Sequence, residues 1–528
     1  MTLPDVERKA SLKASPIPFH PVFFALYPIV SLLATNAGQV GPAAGVRPAA
    51  LALAAAAVTL ATLTLVVRDI RRAAAITSLL LIAFFGYGHV YALLKHVEWM
   101  GGLLGRHRYL IPLGVAVLAA ATVAILRARH RATLTVWLNA LGVMAVALPL
   151  WQIATVEVRS RVSTGGEDPL AGAAAAHLPQ PAPDVYYLVL DAYTRADILA
   201  ADFGIDNTPF LDDLRRMGFF VADCAQSNYA QTELTLSTTL NLDYLENLGP
   251  DFRPGGRDRT PFLFLIRESR LRRFLESFGY RTVALETGYA WSEWQDADEY
   301  LRPEGSTGAA SFHLTAFEAL LADSTALSIF TDARAALPPS LGGALEGPLV
   351  LHRQRILFGL DQLGRMPTDP GPKFVFAHLV VPHRPYIFHP DLESRRADRS
   401  RMPDLDVGDR GGYYFGYRDQ VLFLNDRMVP ILEGLLRESA TPPVIVLMGD
   451  HGADEAGPQE RMANLLAVYL PGGTTEGLAA TLTPVNAFRV VLDNVFGLDL
   501  PLLANRSLYS IYDAPFDFTS IPQTCPGG

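Results

Sequence analysis

Six side chains of this 528-residue chain could do chemistry together: Asp191, Thr232, His378, His383, Asp450 and His451. Asp450 and His451 close the stretch VIVLMGDHG, Val444–Gly452, whose apolar run is too short for a helix core and reads as a central strand of a parallel sheet. The pair then sits at the carboxyl end of that strand, the edge at which open α/β sheets bind ligands. A carboxylate beside an imidazole offers two metal ligands there, while a plain Asp-His-Gly turn is the competing reading. Val185–Leu190, VYYLVL, delivers Asp191 in the same way. Lys373–Leu379, KFVFAHL, carries His378 and leads into VVPHRPYIFHPD, which holds His383. Thr232 falls at the start of a helix, where Ser and Thr crowd the opening turn and Leu236 and Leu240 lie one turn apart.

Taken singly, these residues have ordinary roles: a turn or cap for the Asp, an N-cap for the Thr, a loop His beside a Pro. Gathered on one sheet edge, they suit metal-assisted transfer of a tetrahedral anion. A Thr hydroxyl is a poor nucleophile at neutral pH, and a divalent cation held by Asp191, Asp450 and His451 would lower its pKa and present it as an alkoxide. A helix N-terminus at Thr232 adds N–H groups and the positive dipole end, which favour an anionic group. His378 and His383 would neutralise non-bridging oxygens, and one could protonate the leaving oxygen.

The elements that must hold these residues alternate between strand and helix. Phe219–Val221 and Gly279–Leu285 add strands, and helical spacing covers Phe210–Met217, Phe264–Phe278 and Gly412–Leu436. Such alternation predicts an α/β domain with a mainly parallel sheet. Glu286–Pro370 is harder to read: Trp291, Trp294, Asp296, Asp298 and Glu299 form either a lid or substrate wall, or part of a packed subdomain. His389 and Asp454 are spare ligand candidates, or surface residues.

Ahead of this domain stand five apolar stretches, Pro18–Gln39, Ala49–Val67, Ala73–Leu94, Tyr109–Leu126 and Leu134–Thr155. Each approaches the roughly 20 residues that cross a bilayer, and a first stretch followed by four others is not a cleaved signal peptide. Arg8, Lys9, Lys13, Arg68, Arg71, Arg72, Arg127, Arg129 and Arg131 fall on one side, against Arg47, Lys95, Arg106 and Arg108 on the other. The first side is therefore expected to be cytoplasmic, and everything after Thr155 periplasmic or extracellular. His89, Lys95 and His96 could line a substrate path, or sit at the interface as snorkelling residues. The expected layout is a five-helix transmembrane bundle over 1–156, a linker over 157–183 rich in Gly, Ala and Pro, a catalytic α/β domain over 184–520 and a tail over 521–528.

Charge follows the same division. Met1–Gly165 holds 15 of the 44 Lys and Arg but only 5 of the 53 Asp and Glu, so the remainder is acidic and unsuited to nucleic-acid phosphates. The two cysteines, Cys224 and Cys525, could form one disulfide in an oxidising compartment, and nothing about them implies a disulfide scaffold or a thiolate metal site.

These motifs resemble the alkaline phosphatase superfamily, and within it the membrane-anchored sulfatase-like branch of lipoteichoic acid synthases, phosphoethanolamine transferases and phosphoglycerol transferases. Gly449–Gly452, GDHG, is similar to the last metal motif of that family. Leu188–Leu214, LVLDAYTRADILAADFGIDNTPFLDDL, looks like its opening strand and acidic ligand, and His378 with His383 resembles its pair of substrate-facing histidines. The resemblance implies Asp191, Thr232, Asp450 and His451 as ligands of one divalent ion, zinc or manganese before magnesium. It implies Thr232 as nucleophile, and His378 and His383 beside the phosphoryl group. Where several relatives carry Glu this chain has Asp191, and the absence of a C-x-P-x-R or S-x-P-x-R stretch argues against a formylglycine nucleophile. The expected activity is transfer of a phosphoryl-linked head group from a membrane phospholipid to a lipid, glycan or polymer acceptor through phospho-Thr232. The alternatives are a sulfatase-like phosphodiesterase, phosphatase or sulfuric ester hydrolase using water, and an inactive membrane-bound sensor that binds glycans.

Overall fold

VYYLVL forms β1, Val185–Leu190, with every residue buried and a parallel neighbour on each side. Those neighbours are β5, Lys373–Leu379, and β6, Val444–Met448. With β2 (Phe220–Val221), β3 (Arg281–Leu285), β4 (Glu299–Leu301) and β7 (Leu466–Tyr469) they make one sheet in the order β2-β7-β6-β1-β5-β3-β4. The sheet is mixed: β6-β1, β1-β5, β5-β3 and β3-β4 pair in parallel, whereas β7 runs antiparallel to both β6 and β2. A separate antiparallel pair, β8 (Ser507–Tyr509) and β9 (Thr519–Ile521), lies near the carboxyl end of the chain.

The structure is a computed structural model that describes residues 16–37, 40–95, 105–162, 168–170, 180–304, 314–332, 347–388, 410–453 and 457–525. Arg8, Lys9, Lys13, His96, His389 and Asp454 lie outside the described residues. The chain divides into two units, Met1–Thr155 with Phe312–Pro348, and Val156–Ser311 with Leu349–Gly528.

In the α/β unit, strand alternation sends Tyr187, Val189, Phe374, Phe376, Val446 and Met448 to one face, where they pack with Leu234, Leu236 and Leu240. Those leucines belong to α8 (Thr232–Asn241), which follows α6 (Ala196–Phe203) and α7 (Thr208–Arg216) in the chain. Tyr186, Leu188, Val375 and Leu447 go to the other face, against Val421, Leu424 and Met428 of the helix Arg410–Glu438. Burying each such side chain contributes about 1.5–3 kcal/mol, so the central strands and their carboxyl ends are held firmly. The helical run expected over Phe264–Phe278 is two helices, Pro261–Arg267 and Arg270–Ser277, because Ser269 stops the first and caps the second by accepting from Arg272 N.

The helical unit contains α1 (His20–Thr35), α2 (Val46–Val67), α3 (Ile70–Lys95) and α4 (His107–Arg127), and α5 (Arg131–Val162) begins in it. Four of these are long and apolar enough to cross a membrane. The first is not: at 16 residues, bounded by Pro21 and by Asn36 at its C-cap, α1 falls short of the five full spans expected. Leu65, Val66, Trp137, Met144, Leu148 and Trp151 are each 70–79% exposed, a surface suited to acyl chains rather than to water.

Candidate metal centre and active site

Three parallel strands end together and carry the chemistry with them. Val189 of β1 is opposite His378 of β5 and Met448 of β6, so Asp191 and the Gly449–Gly452 turn emerge at one edge. Gly449 is required there, because a Cβ on it would stand 2.2 Å from the Tyr193 carbonyl oxygen of the crossing loop. Asn464 Nδ2 donates to the Gly449 carbonyl (2.6 Å) and Ser227 Oγ donates to that of Asp450 (2.5 Å), which fixes the turn. Ala192 adopts a left-handed φ of 64°, costing about 1–2 kcal/mol for a residue with a Cβ. Its N–H thereby donates to Asp450 Oδ1 (2.9 Å), while its carbonyl accepts from Tyr417 Oη (2.7 Å).

The side chains of Asp191, Asp450 and His451 are buried and offer ligand atoms within 4.8 Å of one another. His451 Nε2 lies 3.4 Å from Asp450 Oδ2 and 3.9 Å from Asp191 Oδ1. His451 Nδ1 donates to the Gly452 carbonyl (2.7 Å), a bond that turns Nε2 towards the carboxylates. Asp191 Oδ1 and Asp450 Oδ2 are buried with no hydrogen-bond partner among the described residues. Two orphaned carboxylate oxygens and one imidazole nitrogen around a common point fit a divalent cation, since a buried carboxylate oxygen left unpaired is otherwise costly.

Thr232 enters this group from α8, Thr232–Asn241, a helix whose ten residues are all buried. Its sequence, TELTLSTTLN, has weak helix propensity, so tertiary packing must hold it. The hydroxyls of Thr238 and Thr239 and the Asn241 amide hydrogen-bond to carbonyls of preceding residues rather than remaining unpaired in the core. Gln231, at the N-cap, makes no side-chain cap and turns its amide to Ser510 Oγ (2.9 Å) instead. The opening turn of α8 therefore has no side-chain cap, and Thr232 Oγ1, at its first residue, is 3.3 Å from His451 Nε2.

The two remaining predicted histidines occupy different positions. His378 is buried between Ser292 Oγ, 2.7 Å from its Nδ1, and Asp191 Oδ2, 3.2 Å from its Nε2, an arrangement that orients the Asp191 carboxylate. His383 is half-buried, its backbone N–H donates to the Asp191 carbonyl (3.0 Å), and its Nδ1 donates to the Arg384 carbonyl (2.5 Å). Burial pushes the Asp191 carboxyl upward, but the imidazoles of His383, His378 and His451 outweigh it and hold the group below the usual carboxylate range.

Several neighbours carry no motif that would have revealed them. Arg461 Nη2 approaches His451 Nε2 at 3.5 Å while its Nε donates to the Ala230 carbonyl (2.8 Å). Tyr289 packs edge-on to His378, and burial, then the Asp191 and Asp450 charges, push its hydroxyl well above the ordinary phenol range. His352, on the helix Gly347–Arg365, is pulled down to about 4 by burial, with Arg355 and His383 adding to the shift. The cysteines foreseen as a candidate pair, Cys224 and Cys525, are disulfide-bonded, with Cα atoms 4.7 Å apart.

No protein-family model and no curated protein matches this chain. Among solved structures it is similar to the C-terminal periplasmic domain of EcEptC from Escherichia coli in complex with Zn. That likeness has 11% identity, 68% coverage of this chain, 95% of that chain and a TM-score of 0.39. It is also similar to the integral membrane protein lipooligosaccharide phosphoethanolamine transferase A (EptA) from Neisseria meningitidis, with 12% identity, 90% and 94% coverage and a TM-score of 0.37. A third, BT1596, a 2-O GAG sulfatase, shares 10% identity over 60% of this chain and 71% of that chain, with a TM-score of 0.35. At identities this low, the chemistry of the site rests on the side chains described above.

Proposed function

We propose that the strand-edge cluster is a single divalent-cation centre at which Thr232 takes a phosphoryl-linked head group from a membrane phospholipid and passes it to a lipid, glycan or polymer acceptor. The observation that carries this reading is the Thr232 hydroxyl 3.3 Å from His451 Nε2, beside two buried carboxylate oxygens that lack partners. Asp191, Asp450, His451 and Thr232 would hold the ion, with the imidazole favouring zinc or manganese over magnesium. When bound, the cation supplies Lewis-acid stabilisation of developing negative charge and lowers the pKa of the hydroxyl.

The protein's own groups do the rest. Thr232 Oγ1 attacks phosphorus, the P–O bond to the lipid moiety breaks, that moiety departs as an alcohol that takes up the proton given up by Thr232, and the head group remains on phospho-Thr232 as a phosphodiester. The N–H groups at the start of α8 and the Arg461 guanidinium stabilise the non-bridging oxygens. His378, engaged by Ser292 and Asp191, positions the acidic ligand. His383, half-buried with its Nδ1 proton committed to Arg384, presents Nε2 for proton exchange with the departing and entering oxygens. Attack by the acceptor hydroxyl on phospho-Thr232 then regenerates the Thr232 hydroxyl. The apolar helices hold donor and enzyme in the same membrane, where effective concentration is high.

The test is incubation of the full chain in liposomes with phospholipid labelled in the head group. Label should become covalently attached to the wild-type protein and then move to lipid or glycan. Thr232→Ala should carry no label and turn over about a thousandfold more slowly or worse, at an unchanged unfolding midpoint. Equal rates for the two proteins would remove Thr232 from the chemistry, and label released only to water would make the enzyme a hydrolase.

A further inference from the structure

The segment Phe312–Pro348, which leaves the α/β unit after β4 and returns to it before the end of the sheet, belongs to the helical unit. Its described part begins with a helix, Ala316–Asp323, opened by a capping box. Thr315 Oγ1 accepts from Glu318 N, and Glu318 Oε2 accepts from Thr315 N. The same Glu318 carboxylate pairs with the Arg47 guanidinium at the start of α2. Phe317 and Leu321 are buried against Ile29 and Leu33 of α1. Further on, Asp323 and Ser324 cross α3 so closely at Gly88 that a Cβ there would stand 2.2 Å from the Asp323 carbonyl oxygen, and Ala326 N donates to the Phe84 carbonyl (2.8 Å).

These contacts fix the depth of the segment. α2 and α3 are antiparallel neighbours joined by a tight turn at Arg68–Ile70, so Arg47 and Tyr91 share a level near the far ends of the two helices. Lys95 over Tyr91 and Arg108 over Tyr109 mark that level as an aromatic and cationic belt of the kind found at bilayer interfaces. Gly88 and Phe84 lie about 5 and 10 Å below Tyr91, at roughly 1.5 Å per residue. The segment thus starts in the headgroup region at Glu318 and dips into the acyl region at Ala326.

Two independent features suit that depth. Leu320, Leu327 and Phe330 are 50%, 43% and 52% exposed, large apolar side chains left on the outside of the helical unit. In addition, each backbone N–H from Ser324 to Phe330 has a partner. Ser324 donates to Leu320, Thr325 to Ala322, Ala326 to Phe84, Leu327 to Thr325 Oγ1, Ser328 to Thr325, Ile329 to Ala326 and Phe330 to Leu327. A surface loop in water needs no such completeness, but lipid-facing backbone does. Between Thr315 and Phe330 the acidic side chains are Glu318, neutralised by Arg47, and Asp323, which at the level of Gly88 stays within reach of headgroups.

We infer that Thr315–Phe330 is a membrane-dipping element, contributed by an insertion in the catalytic domain, whose Leu320, Leu327 and Phe330 side chains contact phospholipid acyl chains in the leaflet at the Arg47 and Tyr91 end of the bundle. This goes beyond the catalytic reading and stands without it.

The test places an environment-sensitive fluorophore on Leu327→Cys and, separately, Phe330→Cys in the full chain reconstituted in phosphatidylcholine liposomes. Cys224 and Cys525 are disulfide-bonded and do not compete for the label. Each probe should lose about half its emission to phosphatidylcholine brominated near the headgroup end of its acyl chains, consistent with burial of about 5–10 Å. Both should resist aqueous iodide, whereas a probe at Arg365→Cys, on the exposed end of a helix of the α/β unit, should show the reverse. Quenching of the 327 and 330 probes by iodide would overturn the inference by placing them in water. Protection from both quenchers would overturn it by placing them under protein, either a partner or a second copy. No outcome depends on turnover, so a failed catalytic assay and a failed depth assay remain separate results.

Discussion

Thr232 and Glu233 are adjacent at the start of α8, yet the buried polar clusters they enter are opposites. Around Glu233 every charge is answered: its carboxylate pairs with the Arg259 guanidinium and accepts from Tyr289 Oη (3.1 Å). Arg259 also donates to Gln231 Oε1 and to the Tyr512 carbonyl, each at 2.6 Å. Around Thr232, Asp191 Oδ1 and Asp450 Oδ2 are left without hydrogen-bond partners among the described residues, beside His451 Nε2. A satisfied buried network specifies structure, and an unsatisfied one in a well-packed core is an invitation to a ligand. The contrast lies in what remains unpaired rather than in how polar the surroundings are.

That contrast can be broken most forcefully at the shared helix turn. If Thr232→Ala removes turnover at constant stability, as expected above, Glu233→Gln should do the opposite in kind. Loss of the charge opposite Arg259 strands a buried guanidinium, and unfolding in denaturant should register a loss of about 3–5 kcal/mol. Its metal content, measured by elemental analysis of the folded fraction, should stay at the wild-type level. A Glu233→Gln protein as stable as wild type would show that the satisfied cluster is not structural and would erase the distinction.

His352 offers a sharper, smaller test. It is buried, and its folded pKa near 4 lies below the ordinary value of 6.5, so the unfolded chain takes up its proton first on acidification. The stability it contributes is complete above pH 6.5 and is lost as pH falls from there towards 4, by about 3 kcal/mol at most. His352→Gln should flatten the slope of unfolding free energy against pH in that window, with little change at pH 8. An unchanged slope would mean that His352 is charged in the folded protein and that the region beside Asp191 is wetter than its burial implies.

How much of this was legible in the sequence follows from where the physics is local. Apolar runs that stop at a chemical residue, VYYLVL before Asp191 and VIVLM before Gly449, announce buried strands and their ends, and with them the edge where the acidic ligands meet. The short LAVY of β7 carries no such length signal, so nothing in the sequence announces its antiparallel entry, and the break at Ser269 lies inside an apolar pattern that continues on both sides. Ser292, Arg461 and His352 reach the site through tertiary packing alone, and nothing in their sequence neighbourhoods marks them. The same holds for Phe312–Pro348, whose place with the helical unit depends on Arg47 and Gly88, hundreds of positions away in the chain. The shortness of α1 was foreseeable from Pro21 and Asn36, but hydropathy averaged over the window masks helix ends.

Asp450→Asn gives the smallest effect and the cleanest sign. Its Oδ1 position can still accept from Ala192 N as an amide oxygen, so the turn geometry survives. What changes is Oδ2, where an anionic oxygen without a partner becomes an amide NH2. In metal-loaded protein the substitution removes a ligand, and affinity for zinc, read by competition with a chromophoric chelator, should fall about tenfold to a hundredfold. The loaded unfolding midpoint should fall with it, because binding to the native state alone raises stability by mass action. In protein stripped of metal the order should reverse: wild type then holds an uncompensated buried carboxylate oxygen, and Asp450→Asn should unfold at the higher midpoint, by about 1 kcal/mol or more. Glu233→Gln, by contrast, should be the less stable protein under both conditions. A midpoint for Asp450→Asn below wild type with and without metal would put Asp450 in the same class as Glu233, a structural acid, and the strand edge would lose its claim to an ion.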